Sequence, residues 1–155
     1  MTPPTARYRV SPWVDYRMFV LRDPRSHPTP LEEGTPSADS ILMPATHGVV
    51  LHSGGNLFHP HVDIEIWSHE PPAAEGEWDE IDEASFTTTS GTIRIESLSG
   101  QPEPTFALER PGPVRLRAHT KGRGEAMERL SMETSYEGVE EWLLQVWPDQ
   151  NANGV

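Results

Sequence analysis

The sequence predicts an all-β protein, an antiparallel β-sandwich with long loops, on three observations. Apolar and polar residues alternate with a period of two in several short runs, as they do along half-buried strands. The chain has 12 Gly and 16 Pro among 155 residues, and turn residues separate these runs roughly every 8–12 positions. Almost no segment has the 3.6-residue period of a helix. A jelly-roll or cupin-like barrel is the alternative architecture.

Four strands are predicted in the first half of the chain, at residues 7–10, 15–21, 47–52 and 62–67. The first is short and charged, which is typical of an edge strand, and the second ends in a continuous apolar run that indicates burial. A turn sequence, Ser53-Gly54-Gly55-Asn56, follows the third. The fourth places Val62, Ile64 and Ile66 on one face, so that face is predicted to belong to the core.

Four further strands are predicted, at residues 83–87, 92–98, 114–119 and 140–147. The turn residues Ser90-Gly91 and Pro111-Gly112 precede the second and third of these, and Pro148 ends the last. Between the last two strands, residues 125–130 form either a short helix or part of an irregular excursion, because fewer than three turns are marginal alone.

A single β-sandwich domain is predicted for residues 1–148, followed by a flexible tail at residues 149–155. Residues 22–44 contain five prolines. Because proline lacks the N–H group that a strand ladder needs, this segment is predicted to form a long surface loop. Five Trp, four Phe and three Tyr supply large apolar rings for a core.

Composition excludes several classes of protein. The chain has no cysteine, so a disulfide scaffold and a thiolate metal site are excluded. The 24 Asp and Glu against 12 Lys and Arg give a net charge of −12, which disfavours binding to nucleic acid or to anionic membranes. No apolar run approaches the roughly 20 residues of a membrane span, and no signal peptide is visible, so a cytoplasmic protein is expected.

An acidic block without Lys or Arg extends from Val62 to Ala84 and contains Trp67 and Trp78. A negative surface accelerates association with a basic protein, and Trp rings are frequent interface anchors. The alternative is a solvated acidic face with the Trp rings in the core. The block has nine acids in all, including Asp63 and Glu70. The predicted partner-binding residues are Glu65, Trp67, Glu75, Glu77, Trp78, Asp79, Glu80, Asp82 and Glu83.

The histidines suggest a different function. His59-Pro60-His61 followed by Glu65 has the form H-x-H-x-x-x-E, which is similar to the first metal motif of cupins. Imidazole and carboxylate ligands suit Fe, Mn, Ni or Zn. The cupin glycine spacing is not kept at Gly54, and no second metal motif follows. A cupin-like, metal-dependent enzyme is therefore the alternative, whereas the leading prediction includes no metal and no cofactor.

Other catalytic motifs are lacking. The sequence has no G-x-S-x-G nucleophile elbow and no glycine-rich phosphate loop, so the protein is predicted not to be an enzyme. A sandwich that binds a sugar or another small ligand through Trp67, Trp78 and Trp147 is the third possibility.

The second half of the chain resembles a group of small actinobacterial proteins over roughly residues 60–148. The resemblance gives a family but no activity. It rests on residues 67–72, 78–80, 112–119, 122–123 and 140–148.

A more distant resemblance is to the ComJ family of competence-associated nuclease inhibitors. It rests on Tyr16 followed by Met18-Phe19-Val20, on residues 92–98, on the strand after Pro111-Gly112, and on residues 142–146. No catalytic motif accompanies it. The resemblance implies a β-sandwich and a nuclease-inhibiting or immunity role. Together with the acidic block, it predicts a non-enzymatic inhibitor or immunity protein whose partner is a basic protein such as a nuclease or toxin.

Overall fold

The structure, a computed structural model, describes residues 3–99, 103–128 and 137–150, of which 137 and 138 are described by their backbone alone. Two short helices occur in these ranges, a 3₁₀ helix at Pro30–Glu33 and α1 at Arg123–Glu128. Neither is long and apolar enough to cross a membrane. The described strands are β1 (Ala6–Val10), β2 (Met18–Arg22), β3 (Leu42–Ala45), β4 (Gly48–His52), β5 (His59–Ile66), β6 (Glu80–Thr88), β7 (Thr92–Glu96), β8 (Thr105–Ala107), β9 (Gly112–Lys121) and β10 (Glu137–Pro148).

The strands form two five-stranded sheets whose apolar faces share one core. Sheet A has the order β1-β5-β10-β9-β6, and sheet B has the order β3-β4-β2-β7-β8. All pairings of the named strands are antiparallel except that of β5 with β10, which is parallel. The described strands do not close into a barrel. The predicted β-sandwich is therefore confirmed, and the barrel alternative is wrong.

The core lies where the alternation of apolar residues predicts it. Val62 and Ile64 are fully buried and Ile66 is nearly so, which confirms the predicted inner face of β5. From the other sheet, Phe19 meets Trp142 edge to face, with ring centroids 5.4 Å apart. Aromatic pairs in this geometry add to the stabilisation that burial of their apolar area provides.

Two strands occur that the sequence analysis did not predict. β3 lies at the end of the predicted proline-rich loop and contains Pro44, which is tolerated because β3 is an edge strand of sheet B. β8 has three residues and pairs with β7 at the opposite edge. Of the two alternatives for residues 125–130, the short helix is found: it is α1, which begins two residues earlier. Residues 129–130 and the tail from 151 onward lie outside the described residues.

Residues 67–79, here called the strap, connect two strands that lie far apart in sheet A. β5 and β6 are separated by β10 and β9, so the chain has to cross both strands. The strap crosses the outer face of the sheet, where Arg117 donates a hydrogen bond to the Pro71 carbonyl at 3.3 Å and Trp78 contacts the His119 ring. His119 and Gln145 are consequently 1% and 2% exposed, although they lie on the outer face.

Asp23 anchors the turn between β6 and β7, at the end of the sandwich where β2 ends. Its buried carboxylate accepts hydrogen bonds from the backbone N–H groups of Thr89, Ser90 and Arg25 at 2.8–2.9 Å, and from the Ser90 hydroxyl at 2.7 Å. Burial alone would raise the pKa of this carboxyl group, but these hydrogen bonds outweigh burial and hold the pKa well below its ordinary range.

The lowered pKa of Asp23 predicts a loss of stability in acid. Because the folded state favours the ionised form, the stabilisation is present above the unfolded pKa of about 4 and is lost as the pH falls below it. We expect the free energy of unfolding to fall between about pH 5 and about pH 2. Asp23→Asn should weaken this dependence and cost at least about 2 kcal/mol at neutral pH.

Urea unfolding across this pH range measures both effects. Asp39→Asn, which changes an exposed carboxylate, is the control. Its free energy of unfolding should depend on pH in the same way as that of the wild type. A pH dependence of Asp23→Asn equal to that of the wild type would contradict the role assigned to Asp23.

Candidate functional site

The acidic block is largely neutralised by the protein's own arginines. The arginines lie on β1, on β9 and at the start of α1, and they meet five of the nine carboxylates. The pairs are Arg9–Asp63 (2.7 Å), Arg7–Glu65, Arg117–Glu70 (3.4 Å), Arg123–Glu80 (2.5 Å) and Arg115–Glu83 (2.9 Å). The block is therefore not the continuous, unpaired negative surface that the sequence suggested. Its field is reduced where guanidinium groups lie against the carboxylates.

Glu65 has an internal role instead of the predicted partner contact. Its side chain is only 4% exposed. One carboxylate oxygen accepts hydrogen bonds from Trp67 Nε1 at 3.0 Å and Gln145 Nε2 at 3.1 Å, and the other accepts from Arg7. Burial favours a higher pKa, but the three donors outweigh burial and lower the pKa of Glu65. This carboxylate therefore joins β1, β5, β10 and the beginning of the strap.

Four carboxylates of the block remain exposed without a cationic partner among the described residues. They are Glu75, Glu77, Asp79 and Asp82. Asp79 also accepts a hydrogen bond from the backbone N–H of Gly122 at 3.0 Å, which fixes the end of the strap beside the turn after β9. These four groups are the part of the predicted partner-binding set that can act electrostatically on another molecule.

The tryptophans of the predicted sets hold the strap on sheet A. Trp78 donates a hydrogen bond to the Glu75 carbonyl at 3.2 Å, and Lys121 Nζ lies 5.2 Å from the centroid of its ring. Trp147 is 4% exposed, with the Arg117 guanidinium 5.1 Å from its ring centroid. Cations of the protein itself lie against the rings of Trp78 and Trp147, so these two residues do not form an open platform for a sugar together with Trp67.

A groove of about 450 Å³ lies between the strap and the N-terminal arm. Trp67 and Leu143 contribute apolar surface, and Glu65 and Gln145 contribute polar atoms. These polar atoms already bond to one another and to arginines, so the groove contains few groups left to orient a ligand.

The predicted alternative metal ligands His59, His61 and Glu65 do not converge. On an extended strand, four residues span about 13 Å, so His61 and Glu65 cannot share an ion. His59 is held by the Ser11 carbonyl at 2.8 Å, and its ring lies 5.1 Å from the ring of Trp13. In the part of the chain that the structure describes, no three His, Asp or Glu side chains form a metal-binding group. The cupin-like arrangement is therefore wrong.

Glu140 is a buried carboxylate that the sequence analysis did not single out. It is fully buried and accepts hydrogen bonds from Trp142 Nε1 at 2.6 Å, the Gly54 N–H at 2.8 Å and the Ser53 hydroxyl at 3.1 Å. Burial raises the pKa of Glu140, and the three hydrogen bonds oppose that rise. The alternation of β10 gives the signal, because residue 140 shares the face of the core residue Trp142.

The turn that Glu140 holds is packed tightly against α1. A Cβ atom on Gly54 would lie 2.2 Å from the carbonyl oxygen of Arg123, so only glycine fits at this position. The Arg123 side chain in turn donates to the His52 carbonyl at 3.1 Å and pairs with Glu80. These contacts bring the ends of β4 and β9 and the starts of β6 and β10 to one end of the sandwich.

Two solved structures have this fold along nearly their whole length. ComJ from Bacillus subtilis, an inhibitor of the DNA degrading activity of NucA, has a TM-score of 0.60 and 15% identity, over 96% of this chain and 98% of that chain. A protein described as crocagin biosynthetic gene J has a TM-score of 0.62 and 16% identity, over 97% and 100%. Neither a protein-family model nor a curated protein sequence matches the chain.

These comparisons confirm the predicted resemblance to ComJ at the level of the fold. Identities of 15% and 16% carry no site residues from one chain to the other. The predicted resemblance to small actinobacterial proteins stays a prediction.

The raised pKa of Glu140 predicts a stability change opposite in sign to that of Asp23. Because the folded state favours the protonated form, the contribution is fully present below the ordinary carboxyl pKa of about 4.3. It is lost as the pH rises through the raised pKa. We expect Glu140→Gln to remove this decline, whatever its effect on stability at a single pH.

Chemical denaturation of the wild type and Glu140→Gln from about pH 4 to about pH 8 tests this expectation. Glu141→Gln changes the neighbouring, half-exposed carboxylate and serves as the control. If the wild type and Glu140→Gln lose stability in parallel over this range, the buried charge at Glu140 is not the cause.

Proposed function

We propose that this protein is an inhibitor that binds a basic protein partner, and that the partner is a DNA nuclease. The observation that carries the proposal is the likeness to ComJ, an inhibitor of the DNA degrading activity of NucA, over 96% of this chain. The likeness extends over nearly the whole of both chains. The proposal assigns the chain no catalytic activity of its own and a location in the cytoplasm, as the sequence predicts.

Charge supports a basic partner. The chain carries a net charge of −12, and Glu75, Glu77, Asp79 and Asp82 remain exposed without a cationic partner among the described residues. A nuclease presents positive charge where it binds the phosphate backbone of its substrate. A negative protein is therefore drawn to the surface that DNA would occupy, and the association rate falls as salt screens the attraction.

The direct test measures the degradation of plasmid DNA by two nucleases in the presence of increasing amounts of this protein. One nuclease is NucA, and the other is the DNA nuclease most similar to NucA in the genome that encodes this chain. We expect the second nuclease to be inhibited at a stoichiometric ratio, with an inhibition constant that rises with salt concentration. If the folded protein slows neither nuclease at any salt concentration, the proposal is rejected.

Charge reversal on the strap separates local from overall electrostatics. The double variant Glu75→Lys, Glu77→Lys should raise the inhibition constant by at least about tenfold, because it places positive charge against a positive partner. A control of equal net charge carries Glu109→Lys, Thr105→Lys and Ala107→Lys, at exposed positions on or beside the edge strand β8. Equal inhibition constants for the two variants would contradict a local role of the strap and would show that inhibition depends only on the net charge of the chain.

A further inference from the structure

One end of the sandwich, here called the loop end, collects several connections between strands. It includes the β1–β2 turn, the β4–β5 loop, α1 and the start of β6. Strand register places these together: Met18 pairs with His52 in sheet B, and Glu80 pairs with Thr120 in sheet A. The close approach of Gly54 to Arg123 joins the two sheets at this end. Loops clustered at one end of a sandwich are a frequent location of binding surfaces.

The large hydrophobic side chains that are exposed among the described residues all lie at the loop end. Tyr16 is 73% exposed, Ile81 57%, Met127 49% and Leu57 39%. They come from four different segments: the β1–β2 turn, the start of β6, α1 and the β4–β5 loop. Single exposed apolar residues are ordinary on protein surfaces, but their collection at one end of a domain is typical of an interaction surface.

Two of these residues are held in a backbone conformation that their side chains disfavour. Tyr16 and Arg17 have φ angles of 54° and 61°, and Leu57 has a φ angle of 55°. Two consecutive positive φ angles between Asp15 and Met18 correspond to a type I′ turn, for which Asn and Gly are the preferred residues. Tyr, Arg and Leu are poor choices on local grounds. Strained residues of this kind concentrate where a protein contacts a ligand or partner.

The strained loops are braced against each other. The Arg17 N–H donates to Asn56 Oδ1 at 3.2 Å, and the Ser53 N–H donates to the Arg17 carbonyl at 2.9 Å. The Leu57 N–H donates to the Val14 carbonyl at 2.8 Å. Because these bonds fix the backbone before any partner arrives, the loops themselves lose little conformational freedom on binding.

Acidic residues predominate among the charged groups of the loop end. Arg123 is paired with Glu80, and Lys121 is paired with Glu141. The charged residues described at the loop end are the acids Asp15, Asp79, Glu80, Asp82, Glu125, Glu128 and Glu141 and the bases Arg17, Lys121 and Arg123. Acids outnumber bases in this set, so the loop end complements a basic surface and repels nucleic acid electrostatically. An apolar centre with a charged rim is the usual anatomy of a protein–protein interface.

We propose that the loop end is the surface with which this protein contacts its basic partner, with Tyr16, Leu57 and Ile81 as the apolar contacts. Asp79 and Asp82 form the adjoining part of the rim. This assignment rests on the proposed function and locates its interface. Glu75 and Glu77, on the strap, then act on association from a distance, whereas the apolar contacts slow dissociation.

The variants that test the interface use residues that suit each local backbone, so folding is preserved. Tyr16→Asn and Leu57→Asn keep the positive φ angles favourable, and Ile81→Thr keeps a β-branched residue in β6. We expect each to raise the inhibition constant at least about tenfold, mainly through faster dissociation. Tyr16→Asn should not lower the melting temperature, since asparagine tolerates a positive φ better than tyrosine does. Arg25→Gln and Arg110→Gln, exposed at the opposite end, should leave inhibition unchanged.

A second measurement uses the absence of native cysteine. Met127→Cys places a single thiol at the loop end, and Ala107→Cys places one on β8, where it pairs with the start of β7. Binding of the nuclease should slow maleimide labelling of the first thiol at least about tenfold and leave labelling of the second unchanged.

The two proposals fail in different ways. If the wild type inhibits neither nuclease, the proposed function is rejected and the interface falls with it. If the wild type inhibits while Tyr16→Asn, Leu57→Asn and Ile81→Thr inhibit equally well, only the interface is rejected. Protection of the thiol on β8 in place of that on α1 likewise rejects the interface and leaves the proposed function standing.

Discussion

The order of strands in sheet A imposes the constraint on which the rest of the molecule depends. β5 pairs with β1 and β10, whereas the next strand in the chain, β6, lies at the far edge beside β9. The connecting residues therefore have to cross two strands, and the strap covers side chains that a two-sheet sandwich otherwise leaves in solvent. His119, Gln145 and Glu65 are buried on the outer face for this reason. The same crossing brings Asp79 and Glu80 to the end of the sheet where β10 begins.

Strand pairing and this crossing together explain what happens to the acidic block. The block and the arginines that neutralise it are far apart in sequence, and strand pairing together with the strap brings them into contact. The pairing of β1 with β5 accounts for the pairs at Asp63 and Glu65, and the pairing of β6 with β9 accounts for the pairs at Glu83. Arg117 on β9 meets Glu70 on the strap and Glu83 on β6, so one guanidinium group serves two carboxylates. Such pairs add little stability at an exposed surface. Their main effect is to limit the negative field to the few carboxylates without a partner.

Local pattern was sufficient to predict the sandwich and much of its core. The alternation that placed Val62, Ile64 and Ile66 inside needs only the period of a strand. The same alternation placed Glu65 outside, and it does lie on the outer face, yet it is buried because the strap and Arg7 cover it. β3 escaped prediction because prolines, including Pro44, suggested a loop, and an edge position cannot be read from local sequence. The positive φ angles of Tyr16 and Leu57 had no local signal, since neither residue favours them.

The position of β10, parallel to β5 in the middle of sheet A, has a consequence for folding during synthesis. β10 is the last described strand in the chain, and it occupies the middle of sheet A. Until the ribosome has released residues 137–148, β1 and β5 have no bridge to β9 and β6 within sheet A, and the edges of β5 and β9 that face β10 remain unpaired. The unpaired edges of β5 and β9 are therefore exposed to aggregation until β10 is synthesised, and completion of sheet A waits for β10 to insert between two pairs of strands.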